Sequence, residues 1–207
     1  NSDYDVLDLT TLPDDYLPRT NYVPACSPEE YRQRTPTVPW DKGRLVTEYY
    51  RAANREMLSQ SGERTFVATI LPRGCGHINT TLEHCFRDAQ SLLDFIALAI
   101  SIPIDFRVKS TGMGHANSNL VSQLPTCDST SPLRVNLHLR ALSLNAPTSH
   151  YADLWQACWQ DIFADDKWAK SDPRLDNRRF SSLGPTWTRE SALRTDYERR
   201  QALGGYL

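Results

Sequence analysis

Six prolines fall within the first 43 residues, at positions 13, 18, 24, 28, 36 and 39. Each fixes its own φ and biases the preceding residue away from the helical region, so long helices are barred from this stretch. It reads as an irregular arm, rich in Pro, Asp, Thr and Tyr, that packs over other elements through Tyr16, Tyr22, Tyr31 and Trp40. Regular structure has to come from the rest of the chain.

Beyond the arm, Val46, Tyr49, Tyr50, Ala53 and Met57 recur at three- and four-residue spacing. That spacing predicts a helix over 46–58 with Arg51 and Arg55 on one side. The β-branched run 65–71, closed by Pro72, predicts a strand, and Arg73 to Asn79 a loop carrying two glycines. A helix is expected over 88–100, a strand over 104–109, a polar loop over 110–119 and a helical turn over 120–123. After a Ser/Thr/Pro linker at 126–132 the texture turns helical, with segments at 133–144, 149–163 and 188–203. In the second of these, Leu154, Cys158 and Ile162 share one line, flanked by Trp155 and Trp159. The expectation is an α+β fold: a mixed domain with a small sheet over 1–125, then a helical region over 133–203.

The longest apolar stretch, 92–104, is broken by Asp94, Ser101 and Pro103, too short and too interrupted to predict a membrane span. The N-terminus has no basic segment leading into an apolar one, and the five cysteines are odd in number and form no CxxC pair. These features predict a cytoplasmic protein with reduced thiols. The chain opens on Asn in mid-pattern, which suggests a piece of a longer polypeptide. Net charge is −2, but its distribution is uneven. Residues 1–15 hold five Asp and no Lys or Arg, whereas 167–200 hold nine Lys or Arg against five Asp or Glu. Arg supplies 19 of the 23 basic residues, a bias that suits phosphates and guanine edges and that a GC-rich genome would equally produce.

No catalytic signature is present: no GxSxG, HExxH, GxxxxGK[ST] or GxGxxG, and no Asn/Asp-Pro-Pro-Tyr/Phe. Cys75, His77, His84 and Cys85 are chemically able to bind zinc. Their spacing matches no common closed site, and His84 and Cys85 are read as neighbours on a helical turn, about 100° apart. No catalytic or metal-binding residue is therefore assigned. Two loops carry groups that donate to phosphates or pair with base edges. One holds Arg73, His77 and Asn79; the other holds Arg107, Lys109, Ser110, Thr111, His115, Asn117 and Asn119. Glycines in both allow close backbone approach.

The order of these pieces resembles a known family. Glu63-Arg64-Thr65-Phe66 through Leu71-Pro72-Arg73-Gly74-Cys75-Gly76-His77 is similar to a segment that follows the catalytic domain in large adenine-specific DNA methyltransferases. These comprise type IIG restriction–methylation enzymes and PglX-like and DISARM-type phage-defence methylases. Leu92-Leu93-Asp94-Phe95, then Asp105-Phe106-Arg107-Val108-Lys109-Ser110-Thr111-Gly112, then Asn117 to Pro125 resemble the region closing their target-recognition domain. The stretch Trp187 to Ala202 looks like the helix near the C-terminus of DISARM-like members, except that Gly204-Gly205-Tyr206-Leu207 replaces an acidic continuation.

The resemblance implies a part that holds double-stranded DNA while a separate catalytic domain of the same polypeptide methylates a flipped adenine with S-adenosylmethionine. No cofactor is expected in this chain itself. Other defence-system subunits are further expected partners. Two rival readings are a module that docks such subunits through its Trp-rich helical half, and a small metal-dependent hydrolase built on the five His and nearby Asp residues.

Overall fold

The segment expected to be one helix over 46–58 is instead a short 3-10 turn, Val46–Glu48, followed by the central strand of a sheet. β1 (Arg51–Arg55) lies between β2 (Ala68–Leu71) and β3 (Thr81–Cys85) and runs antiparallel to both. Residues 51–54 are buried on both faces of this strand, so no polar/apolar alternation marks it in the sequence. Arg51 pairs with Leu71 on one side and Cys85 on the other. β2 and β3 consequently run in the same direction, and the connection 72–80 has to travel the length of β1 to join them.

The computed structural model describes residues 6–18 and 22–204. Among them are seven α-helices and this one three-stranded sheet, an α+β fold. No helix among the described residues is long and apolar enough to cross a membrane. The chain divides into two compact units, residues 18–138 and residues 1–17 with 139–207. The first residues of the arm therefore group with the helical half, and the division falls inside a helix rather than at the 126–132 linker.

In the unit 18–138, α1 (Pro28–Arg34) interrupts the arm; Ser27 caps it and Pro28 opens it. Trp40 meets Tyr49 edge-on at 6.3 Å, with Arg44 over the Tyr49 ring at 4.6 Å. Tyr22 is exposed. α2 (Ala89–Ala99), capped by the Asp88 carboxylate, covers one face of the sheet, with Phe95 5.7 Å from the ring of His84. His84 donates from Nε2 to Asn54 Oδ1 at 3.1 Å on that face.

The strand expected at 104–109 is a helix, α3 (Ile102–Ser110). Ser101 accepts from Ile104 N, and Pro103 sits in the first turn, where its missing N–H costs nothing. Pro103 therefore starts a helix, although its position after an apolar run suggested that it ended one. Asp105, 7% exposed, accepts the backbone N–H groups of Thr65 at 2.9 Å and Phe66 at 2.6 Å and pairs with Arg64 at 3.3 Å. This carboxylate joins the segment 64–66 to α3, about 40 residues further along the chain. α4 (Ser118–Ser122) follows, and α5 (Arg134–Asn145) begins beside Asp94. Asp94 receives a two-pronged bond from Arg134, at 2.7 and 2.8 Å, and a third from His138 Nε2 at 2.7 Å.

In the other unit, α6 (Ala152–Cys158) is flanked by 3-10 turns at Ser149–Tyr151 and Asp161–Asp165 and does not form one helix over 149–163. Ile162 consequently falls off the apolar line and is exposed. Trp155 is fully buried and donates to Gly184 O at 2.9 Å, a core role. The expected 188–203 helix splits into a 3-10 turn, Arg189–Ser191, and α7 (Asp196–Gly204).

Removing the Asp105 carboxylate strands two buried N–H donors. Asp105→Ala should lower unfolding free energy in urea by about 3 kcal/mol; a loss below about 0.5 kcal/mol, the size of an ordinary surface substitution, would contradict this role. Burial also holds His84 and His138 below the ordinary histidine value, in His138 against the pull of Asp94. A lowered folded value means the unfolded chain binds the proton first, so stability is full above about 6.5 and falls as pH drops through the folded values. The thermal midpoint should thus fall between about pH 6.5 and 5, and His138→Gln should shrink that fall. A midpoint that rises over this interval would contradict the assignment.

Candidate nucleic-acid interface

The 72–80 crossover is held to the sheet by a buried charge. Arg51 and Glu83 lie on the sheet face opposite α2, as the register Ala53–Glu83 requires. The Arg51 side chain is 1% exposed and bonds Glu83 through Nη1 and the backbone carbonyl of Cys75 through Nη2. His77 meets the same carboxylate, with Nε2 3.3 Å from Glu83 Oε2, while Nδ1 lies 2.9 Å from Ile78 O. Gly76 lies against Tyr31 of α1: a Cβ there would stand 2.3 Å from the Tyr31 hydroxyl. The thiols of Cys75 and Cys85, near Arg51, are pushed up by burial. His84 and Cys85, expected as neighbours on a helical turn, lie on a strand and face opposite ways. No group of three or more His, Cys, Asp or Glu among the described residues is placed to hold a metal ion.

The far end of this crossover meets the other expected loop at one residue. Glu56 N donates to Thr80 O at 2.9 Å, and Glu56 O accepts from Ala116 N at 2.7 Å. Leu58 N bonds Gly114 O at 2.9 Å, and Met57 bridges His115. Asn79 and His115, both exposed, thereby flank a common backbone segment. His115 Nδ1 is 3.9 Å from Glu56 Oε1. Arg55, exposed at the end of β1 with Nε on Met57 O, adds a cation beside this junction. Helical spacing placed it beside Arg51 and so gave it no part in the loops.

The remaining expected residues separate into available and committed groups. Arg107 and Lys109 are exposed on the last turns of α3; Arg107 makes a 3.4 Å contact to Gln123 O. Ser110 and Thr111 donate back into their own helix, to Arg107 O and Val108 O, each at 2.7 Å. Gly112 at φ 66° ends α3, the left-handed position a glycine fills without strain. Asn117 is the cap of α4, its Oδ1 accepting from Leu120 N at 3.0 Å, and Asn119 Oδ1 accepts from Gln123 at 3.5 Å. Arg73 is at the opposite end of the crossover, its guanidinium 4.7 Å over the Tyr50 ring. Of the ten, Asn79, Arg107, Lys109 and His115 keep the most polar reach toward a ligand.

Within the basic stretch 167–200, four of the nine cations are tied up inside their own unit, whereas Lys167, Lys170, Arg174, Arg178 and Arg200 are exposed. Arg189 donates to Leu12 O, Thr10 O and the Asp14 carboxylate, and Arg194 to Leu9 O and Pro147 O. Arg199 donates to Leu144 O and Leu193 O, and Arg179 to Ser191 O. No protein-family model, curated protein or solved structure matches the chain.

The Arg51–Glu83 pair makes an asymmetric prediction. Glu83→Ala strands a buried guanidinium and should cost about 3–5 kcal/mol, whereas Arg51→Met leaves a carboxylate that can turn to solvent and should cost less. Urea unfolding of both variants measures this; equal costs, or the reverse order, would show that the pair does not anchor the crossover.

Proposed function

We propose that the chain is the DNA-recognition portion of an adenine-specific DNA methyltransferase of a restriction or phage-defence system, working in the cytoplasm. Methyl transfer and the S-adenosylmethionine it consumes belong, on this reading, to a separate catalytic domain. The observation that carries the proposal is the convergence at Glu56: Asn79 and His115 sit on one exposed backbone junction. Arg107 and Lys109, exposed on the last turns of α3, lead into that second loop. Cations of this kind position a duplex through its phosphates, and Asn and His can reach base edges. The Asp105 carboxylate adds support, because it joins Arg64-Thr65-Phe66 to the Asp105-Phe106 segment that the family resemblance sets far apart in sequence.

The test is duplex affinity as a function of salt. The chain should bind double-stranded DNA at low ionic strength and lose affinity linearly in log–log form as salt rises. The double variant Arg107→Ala/Lys109→Ala should weaken binding to all sequences and reduce the salt slope by about 2. An unchanged slope would remove these residues from the interface, and no affinity at low salt would overturn the reading.

A further inference from the structure

Phe106 stands on the outward face of α3 and is 71% exposed. The helix buries Ile104, Asp105 and Val108, and helical spacing turns Phe106 away from all three. Ile102, one turn before it, and Pro103 are exposed as well, so the ring extends a short apolar strip rather than standing alone. The other five phenylalanines are buried or half-buried. Four of them meet another ring: Phe86 and Phe95 meet each other, Phe163 meets Trp159, and Phe180 meets Trp168. Phe106 has no aromatic or cation–π contact with a described residue, which leaves its ring open to a ligand.

The surroundings of this ring are cationic. Arg107 and Lys109 are exposed on the same helix, and neither forms an ion pair with a described residue. At about 100° per residue they fall on opposite sides of Phe106. The one carboxylate of α3, Asp105, is turned into the core and bonded to Arg64 and two backbone N–H groups. No Asp or Glu occurs from 106 to 127. A small inorganic anion would satisfy the cations and leave the ring in water; a neutral apolar surface would cover the ring and strip water from the cations. A DNA strand offers a flat apolar face between negative charges, provided that the base is not already stacked on both sides within an intact helix. We propose that the outward face of α3 docks an unpaired base of the bound DNA, with Phe106 stacked on the base and Arg107 and Lys109 on the flanking phosphates. The inference rests on the reading that this unit meets DNA.

Fluorescence anisotropy with two labelled duplexes, one fully paired and one carrying a single unpaired adenine, tests it. The duplex with the unpaired base should bind about tenfold more tightly. Phe106→Leu keeps apolar bulk but loses the π-face; it should remove this preference and leave affinity for the paired duplex unchanged. Phe106→Trp should keep the preference. Both variants should unfold in urea with the parent, because the ring lies outside the core. Equal affinity of the parent for the two duplexes, a preference that survives in Phe106→Leu, or an equal loss for both duplexes in that variant would each overturn the proposal. Dimerisation, or binding to anionic phospholipid vesicles, that Phe106→Leu abolishes in place of a base preference would give the face to a second copy or a membrane and overturn it too. Salt-dependent binding of both duplexes without preference overturns the stacking site alone, whereas no binding of either overturns the DNA reading as well.

Discussion

The buried guanidinium of Arg51 holds three things in one arrangement: the central strand, its neighbour β3 through Glu83, and the crossover through the carbonyl of Cys75. A three-stranded sheet this short has little apolar surface of its own, with strands of four and five residues. One face is closed conventionally by α2, with Ile70 and Phe95 buried. The other is closed by a loop, which brings few apolar atoms and has to be fixed by polar bonds instead. Arg51 supplies them, and His77 is placed against Glu83 as a consequence.

Arginine plays two separate parts in the chain. In the unit that contains residues 6–17 and 139–204, guanidiniums act as multi-pronged donors to backbone carbonyls: Arg189 and Arg194 fasten the extended segment around Leu9 to Asp14, and Arg199 ties α7 to the end of α5. A planar fork with five donors suits the satisfaction of irregular backbone that has no strand or helix partner. Of the nine basic residues at 167–200, Arg179, Arg189, Arg194 and Arg199 serve this internal use and the other five are exposed. In the unit 18–138, Arg107 and Lys109 are exposed on the last turns of α3.

The α+β class and the positions of β2, α2, α4 and α5 were legible because each depends on local signals: β-branched residues before Pro72 and apolar residues at helical spacing. β1 was not legible, since Ala52 and Ala53 are buried by contacts from both faces and the apolar spacing around them happens to match a helix. β3 was invisible for a related reason: all five of its residues are half-buried, so Thr81–Cys85 shows neither a polar nor an apolar face. α3 is masked because a proline after an apolar run has the look of a helix stop, although Ser101 two residues before it is a helix cap. Within the candidate site, His77, Asn79 and His115 stand out by residue type. Arg51 and Glu83 do not, because their importance comes from burial and cross-strand register. Asn117 is expected at a base edge, but it caps α4, which commits its side chain there.

The central claim is that ligand-facing chemistry lies on the unit 18–138, at the junction around Glu56, and not on the arginine-rich tail. Mapping amide chemical shifts along the chain as duplex DNA is added addresses this residue by residue. Perturbations concentrated at 55–58, 77–80 and 107–116 are the result this account predicts. Perturbations concentrated at 167–200, with those segments unmoved, would contradict it.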